Sequence, residues 1–153
     1  MKYWLLKTEP STYSWDDLCR EPLQTGRWDG VRNYQARNNL RAMKLGDRCF
    51  FYHSREEPLA IVGIVEIVRE GFTDPLQFDE KSEYFDAKST PSNPRWTSVS
   101  VRAKDAFQPP VTMSELRKEP RLSDMVLLNN TRLSVQPLTA DEWRIILGMR
   151  NKR

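Results

Sequence analysis

Ala60-Ile61-Val62-Gly63-Ile64-Val65-Glu66-Ile67-Val68 is the stretch on which the fold turns. Its β-branched side chains fall on both alternating faces, so it reads as a central strand buried on both sides. Gly63 within it points to a bulge or a close backbone approach. Glu66 shares a face with Ile64 and Val68, and a carboxylate there needs a partner if it is buried. Just upstream, Arg48-Cys49-Phe50-Phe51-Tyr52-His53-Ser54 sets Cys49, Phe51 and His53 against Phe50, Tyr52 and Ser54, the period of a second strand.

Working outward, residues 3–7 read as a first strand, residues 96–103 as another with Val99 and Val101 facing in, and residues 133–138 as a last one. Three capping boxes start helices: Ser14 with Asp17, Thr112 with Glu115, and Thr139 with Glu142. Pro22 limits the first of these helices. Residues 34–44 have a helical period with Ala36, Leu40 and Met43 on one core face, and Gly46 suits a left-handed stop. Residues 123–128 read as a further helical turn or two, and Trp143, Ile146 and Leu147 form the core face of the terminal helix. Residues 72–95 carry Asp74-Pro75, Thr90-Pro91 and Asn93-Pro94, a long turn-rich loop of the kind usually kept for function. Strands outnumber long helices and do not alternate with them, which argues against a doubly wound sheet. The expected class is α+β, a curved mixed sheet or small barrel flanked by short helices.

At 153 residues the chain is long enough for one domain, 1–153, with a real core. Its 24 Lys and Arg against 21 Asp and Glu leave a formal +3, mildly basic, which permits nucleic-acid contact without demanding it. Cys19 and Cys49 have no C-x-x-C spacing, and with one histidine they exclude most zinc arrangements; reduced thiols are expected. No signal peptide and no membrane-spanning run is expected. There is no Gly-x-Ser-x-Gly, Walker loop, dinucleotide fingerprint or metal box, so no metal and no cofactor are expected, and a binding module is favoured over an enzyme.

The ligand chemistry sits in Trp28-Asp29-Gly30-Val31-Arg32-Asn33-Tyr34-Gln35-Ala36-Arg37-Asn38-Asn39-Leu40-Arg41, where arginine, amide and aromatic groups crowd together. Such a mixture suits a flat, polar, anionic guest such as a nucleotide. Trp28, between Gly26 and Gly30 in an expected loop, is either an aromatic plug or a stacking surface; Asn33 and Arg37 following it favour stacking. Asn33 either caps the helix, which commits its side chain to backbone amides, or reads a base edge. Trp96 shares its face with Ser98 and Ser100, opposite the valines, and with Trp28 would make two walls of an aromatic slot. Ser54, at a strand end, is a candidate hydrogen-bonding partner, while His53 reads as a satisfied core histidine. Lys7 stands at the end of the first strand, where a sheet end lines a pocket, and Glu9 reads as a surface turn. Arg132 is either a positive rim or solvated, and Arg37, Arg41 and Lys44 form a basic stripe suited to phosphates.

These blocks, with Trp4-Leu5-Leu6-Lys7-Thr8-Glu9-Pro10, Pro94-Arg95-Trp96 and Arg132-Leu133-Ser134-Val135, resemble the EVE domain family over essentially the whole chain. The resemblance implies a PUA-like fold, a curved β-barrel with peripheral helices. It also implies kinship with YTH domains, which hold methylated adenine in an aromatic cage, and with SRA domains, which flip modified cytosine out of DNA. By that likeness Trp28, Asn33, Arg37, Ser54 and Trp96 line the pocket, with Lys7 and Arg132 at its edge. The chain departs from the family in Pro58-Leu59-Ala60-Ile61-Val62-Gly63, which lacks the first glycine of the usual lead-in, and in Asn129-Asn130, where relatives often carry a basic residue.

The resulting expectation is a non-enzymatic reader of a modified cytosine or adenine in DNA, with Arg41 and Lys44 on flanking phosphates. Restriction or modification enzymes are candidate partners. The expected location is cytoplasmic, nucleoid-associated in a bacterial cell or nuclear in a eukaryotic one. The rival is an amidohydrolase like the related ASCH domains, acting on an acylated pyrimidine through Lys7, Thr8 and Glu66, which requires a depressed lysine pKa. A small-molecule sensor or adaptor is the third reading.

Overall fold

The structure, a computed structural model, describes residues 1–151. Among them six strands form one mixed sheet: β1 (Tyr3–Thr8), β2 (Thr25–Trp28), β3 (Arg48–His53), β4 (Ala60–Thr73), β5 (Thr97–Thr112) and β6 (Val135–Leu138). Their spatial order is β2-β5-β4-β3-β1-β6. The β1–β3 pair is parallel and the other pairs are antiparallel. Around the sheet lie α1 (Trp15–Arg20), α2 (Tyr34–Ala42), α3 (Met113–Arg117), α4 (Val126–Asn129) and α5 (Ala140–Asn151). None of these helices is long and apolar enough to cross a membrane.

Alternation along the central strands feeds two cores, one on each face of the sheet. Trp4 and Leu6 of β1 join Cys49 and Phe51 of β3 beneath Leu18 of α1 and Ala36 and Leu40 of α2. Leu5, Phe50 and Tyr52 point the other way, against Leu116 of α3 and Trp143 and Ile146 of α5. Each such aliphatic or aromatic side chain contributes about 1.5–3 kcal/mol on burial. All three capping boxes form, Ser14 with Asp17, Thr112 with Glu115, and Thr139 with Glu142. α2 ends at Ala42, short of the expected 44, with extended Met43 as its cap; Gly46, at φ +86°, serves the turn before β3 and does not stop the helix. Cys19 and Cys49 are both free thiols, Cys49 buried in the first core.

The sheet differs from expectation in three respects. It does not close into a barrel: β2 and β6 each pair along one side only among the described residues. Both are four-residue edges, and Pro137 in β6 has no N–H to give a further ladder. Second, β4 and β5 run well past the expected strands, to Thr73 and Thr112. Their ladder absorbs four register shifts, which bend the ribbon and let it continue. One shift lies between Ile61 and Gly63, where a Cβ would meet the Trp15 ring at 2.4 Å, so glycine there makes room for an indole. Third, Trp28 does not sit in a loop; it is the last residue of β2, paired with Val99.

Candidate functional site

β1 and β3 run parallel, so their C-terminal ends open side by side. Beyond them lies a cleft of about 1370 Å³. Lys7 and Thr8 come from the end of β1, Tyr52 and Ser54 from the end of β3, and Arg132 and Ser134 from the approach to β6. Trp28 and Arg32 bring in the segment after β2, Tyr84 the β4–β5 loop, and Arg117 the end of α3.

Trp28 serves as both plug and wall. Its indole is 6% exposed and packs edge-on against Phe51 at 5.4 Å and Tyr13 at 6.3 Å, while still lining the cleft. Tyr13 and Tyr52 also line it, and burial first of all raises each phenol pKa to about 12, so both remain protonated. Opposite in sequence, Tyr84 packs on Gly30, whose φ of +77° and missing side chain admit the ring.

Arg32 is held by a buried carboxylate. Its Nη1 donates to Asp74 Oδ2 at 2.9 Å and its Nε to the Tyr84 carbonyl at 2.9 Å. The same Asp74 oxygen accepts from the Gly30 N–H at 2.9 Å, so one carboxylate fixes the segment following Trp28. Arg32 Nη2 is buried with no hydrogen-bond partner among the described residues. The 3-10 turn Pro75–Phe78 that follows Asp74 is tied down by Gln77, whose amide bridges the Asp74 and Trp96 carbonyls and the Arg95 and Trp96 N–H groups. The turn-rich loop is therefore an ordered wall.

Six cationic side chains line the cleft (Lys7, Arg27, Arg32, Arg55, Arg117 and Arg132) against three acidic ones (Glu9, Glu21 and Asp29). Arg27 pairs with Asp29 at 2.7 Å and Arg55 with Glu9 at 3.2 Å. Burial, and then the neighbouring Arg55, lowers the Lys7 pKa; its Nζ donates to the Thr131 carbonyl at 2.7 Å. The walls are aromatic and the rim positive, which suits a planar guest on a polyanion.

Of the residues singled out in the sequence, Lys7, Trp28, Ser54 and Arg132 line this cleft. Asn33, Arg37 and Trp96 do not. Asn33 caps α2, its Oδ1 accepting from the Ala36 N–H at 2.9 Å. Arg37 reaches the Arg95 carbonyl and lies over the Tyr34 ring. The slot between two tryptophans is not formed: Trp96 is 6% exposed, stacks on Tyr34 at 4.9 Å, and donates its Nε1 to Asp86 at 2.7 Å. Ser98, its face-mate, is itself fully buried, because both faces of the sheet are covered there. Arg41 and Lys44 also lie outside the cleft, Arg41 donating to Thr97 Oγ1 and Lys44 facing Glu70 at 4.0 Å.

Glu9, read as a plain surface turn, lines the cleft. Glu66 is half-buried, faces Lys104 Nζ at 3.4 Å and is absent from the cleft, so Lys7, Thr8 and Glu66 are not brought together. His53 is satisfied as expected, its Nε2 accepting from the Trp15 N–H at 3.1 Å. Tyr13, Tyr52, Arg55, Tyr84 and Arg117 also line the cleft, although the sequence pattern does not mark them as ligand groups. Tyr84 had one signal, its place in an overlong loop; the others had none. Among the described residues no group of three or more His, Cys, Asp or Glu is placed to hold a metal ion.

The EVE domain model matches residues 2–149 of the chain. Thymocyte nuclear protein 1 of Danio rerio is 42% identical over 166 residues, covering 97% of this chain and 72% of that protein. The crystal structure of human THYN1 protein in complex with 5-methylcytosine-containing DNA superposes with a TM-score of 0.96 at 38% identity, covering 100% of this chain and 99% of that one. A YTH domain of Zygosaccharomyces rouxii shares the fold at a TM-score of 0.54 and 15% identity, over 97% of this chain and 86% of that one.

Proposed function

The chain belongs to the EVE domain family, and from that premise we propose that it is a non-enzymatic reader of a modified nucleobase in DNA, acting as one domain. The cleft carries this reading. It offers an indole and three phenol rings beside six cationic groups, and a relative of the same fold was crystallised with 5-methylcytosine-containing DNA. Modified cytosine is accordingly the first candidate guest. A base lifted from its stack enters against Trp28, Ser54 offers its edge a hydroxyl, and Arg55 and Arg132 meet the flanking phosphates.

Stacking on an aromatic ring contributes about 1–3 kcal/mol per base. A fully buried methyl group adds about 0.8 kcal/mol, roughly fourfold in affinity. Polar contacts such as the Arg32 and Ser54 groups must supply the rest of any larger preference. The test is anisotropy titration of the protein with oligonucleotides that differ by a single 5-methylcytosine. Tighter binding to the modified strand supports the reading; equal affinity for modified and plain strands overturns it.

A further inference from the structure

A strained turn between two cleft-lining residues, Glu21 and Arg27, displays an apolar side chain to water. Between α1 and β2 the 3-10 turn Pro22–Gln24 holds Leu23 at φ 55°, ψ 20° and Gln24 at φ 52°. Two consecutive residues other than glycine in the left-handed region are unfavourable for L side chains, and glycine or asparagine would sit there more easily. Such a conformation persists only where its surroundings fix it. Here they do: the Gln24 N–H donates to the Glu21 carbonyl at 2.8 Å, Thr25 Oγ1 donates to the Leu23 carbonyl at 3.0 Å, and Arg102 Nε on β5 donates to Thr25 Oγ1 at 3.0 Å. Leu23 itself is 80% exposed and belongs to neither core. A single exposed leucine is ordinary on a surface; one presented on a rigid, strained support is not explained by folding.

The turn stands beside the cleft. Glu21, two residues before Leu23, and Arg27, four residues after it, both line the cavity, and β2 leads straight from the turn to Trp28. Removing a base from a duplex leaves a gap in the stack, and proteins that distort duplexes fill such gaps with rigid apolar side chains. We propose that Leu23 is the wedge that enters the duplex and occupies the place of the base taken into the cleft. This rests on the reading of the cleft as a base pocket. Arg20 and Arg27 flank the turn, paired at present with Asp17 at 3.7 Å and Asp29 at 2.7 Å; on a duplex they exchange these carboxylates for the phosphates on either side of the gap. Glu21 is the acidic side chain that must turn away.

The experiment compares wild type, Leu23→Ala and Leu23→Gly on one modified sequence and its unmodified counterpart, each offered as a duplex and as a single strand. Leu23→Ala keeps the strained support and removes the wedge; Leu23→Gly also relieves the strain, so the pair separates backbone effects from insertion. Because the side chain is exposed, both variants should melt at or above the wild-type temperature. The expected result is about a tenfold loss on the duplex for both variants, with single-strand affinity unchanged, since a single strand has no stack to open. Duplex affinity equal to wild type, or equal losses on both substrates, overturns the wedge. Absence of any preference for the modified strand in the wild type overturns the base-pocket reading itself, and the wedge with it.

Discussion

Asp74 and Arg32, 42 residues apart, meet through Oδ2 and Nη1 at 2.9 Å, with the carboxylate fully buried. The pair joins the β4–β5 loop to the segment that leads from Trp28 into α2, and so sets the width of the cleft. Removing one member strands a buried charge, which costs about 3–5 kcal/mol. Asp74→Ala is expected to lower the unfolding free energy by that amount, read from the drop in urea midpoint, and to weaken oligonucleotide binding, because Arg32 loses its anchor. The double variant Asp74→Leu, Arg32→Met should recover only part of the stability, because the Gly30 and Leu76 N–H groups lose their carboxylate acceptor, and none of the binding.

The two tryptophans named in the sequence are equally buried, so both substitutions lower stability, and binding by the folded protein distinguishes them. Trp28→Leu removes a ring that lines the cleft, and the expected loss of affinity is about 5- to 150-fold, the equivalent of one stacking contact. Trp96→Leu removes a ring buried between Tyr34 and the Asp86 hydrogen bond. It should destabilise the fold, read by thermal melting, while the folded fraction binds with near wild-type affinity.

Arg132 is exposed, lines the cleft and has no ion pair or hydrogen bond to its side chain among the described residues. Arg132→Ala is expected to reduce the slope of log affinity against log salt by about 1. Arg41→Ala, at a guanidinium committed to Thr97 outside the cleft, should leave that slope unchanged. Titrations across a salt series distinguish the two.

His53 accepts from the Trp15 N–H only while neutral, and burial lowers its pKa below the ordinary 6.5. The unfolded chain therefore binds a proton more readily than the folded one. His53 contributes its full stability above pH 6.5, and that contribution is lost as the pH falls through the lower folded value. Asp17 and Asp47, held below 3.8, act further down the scale. His53→Gln should flatten the fall in denaturation midpoint in the window just below pH 6.5 and leave the acid limb intact.

Gly30→Ala tests the Tyr84 wall. The new Cβ would stand 2.9 Å from the ring at a φ of +77°. Left-handed backbone costs a residue other than glycine about 1–2 kcal/mol, and the ring must also shift. Lower stability with weaker, less modification-selective binding is expected; unchanged selectivity would show that Tyr84 takes no part in holding the guest.

Much of the fold was legible because it rests on local chemistry. The capping boxes at Ser14, Thr112 and Thr139 start helices wherever they occur, and the spacing of Ala36, Leu40 and Met43 marked the buried face of α2. The open sheet was less legible, since strand closure depends on what stands beside an edge. Of the candidate residues, Lys7, Trp28, Ser54 and Arg132 reach the cleft, whereas Asn33 spends its oxygen on a helix N-terminus and Trp96 turns into a covered face. Alternation tells which side chains share a face, and it is silent on whether that face meets water.

The amino-acid order alone determined where strands and helices begin, which side chains share a face, and that an aromatic, basic segment follows Gly26. Only the tertiary structure decided which of those faces was left open, that Tyr84 and Arg117 from distant elements join Trp28 around one cavity, and that a buried Asp74 fixes Arg32 there. The reason is physical: periodicity and capping act over a few residues, while a cleft is the space left when remote segments pack.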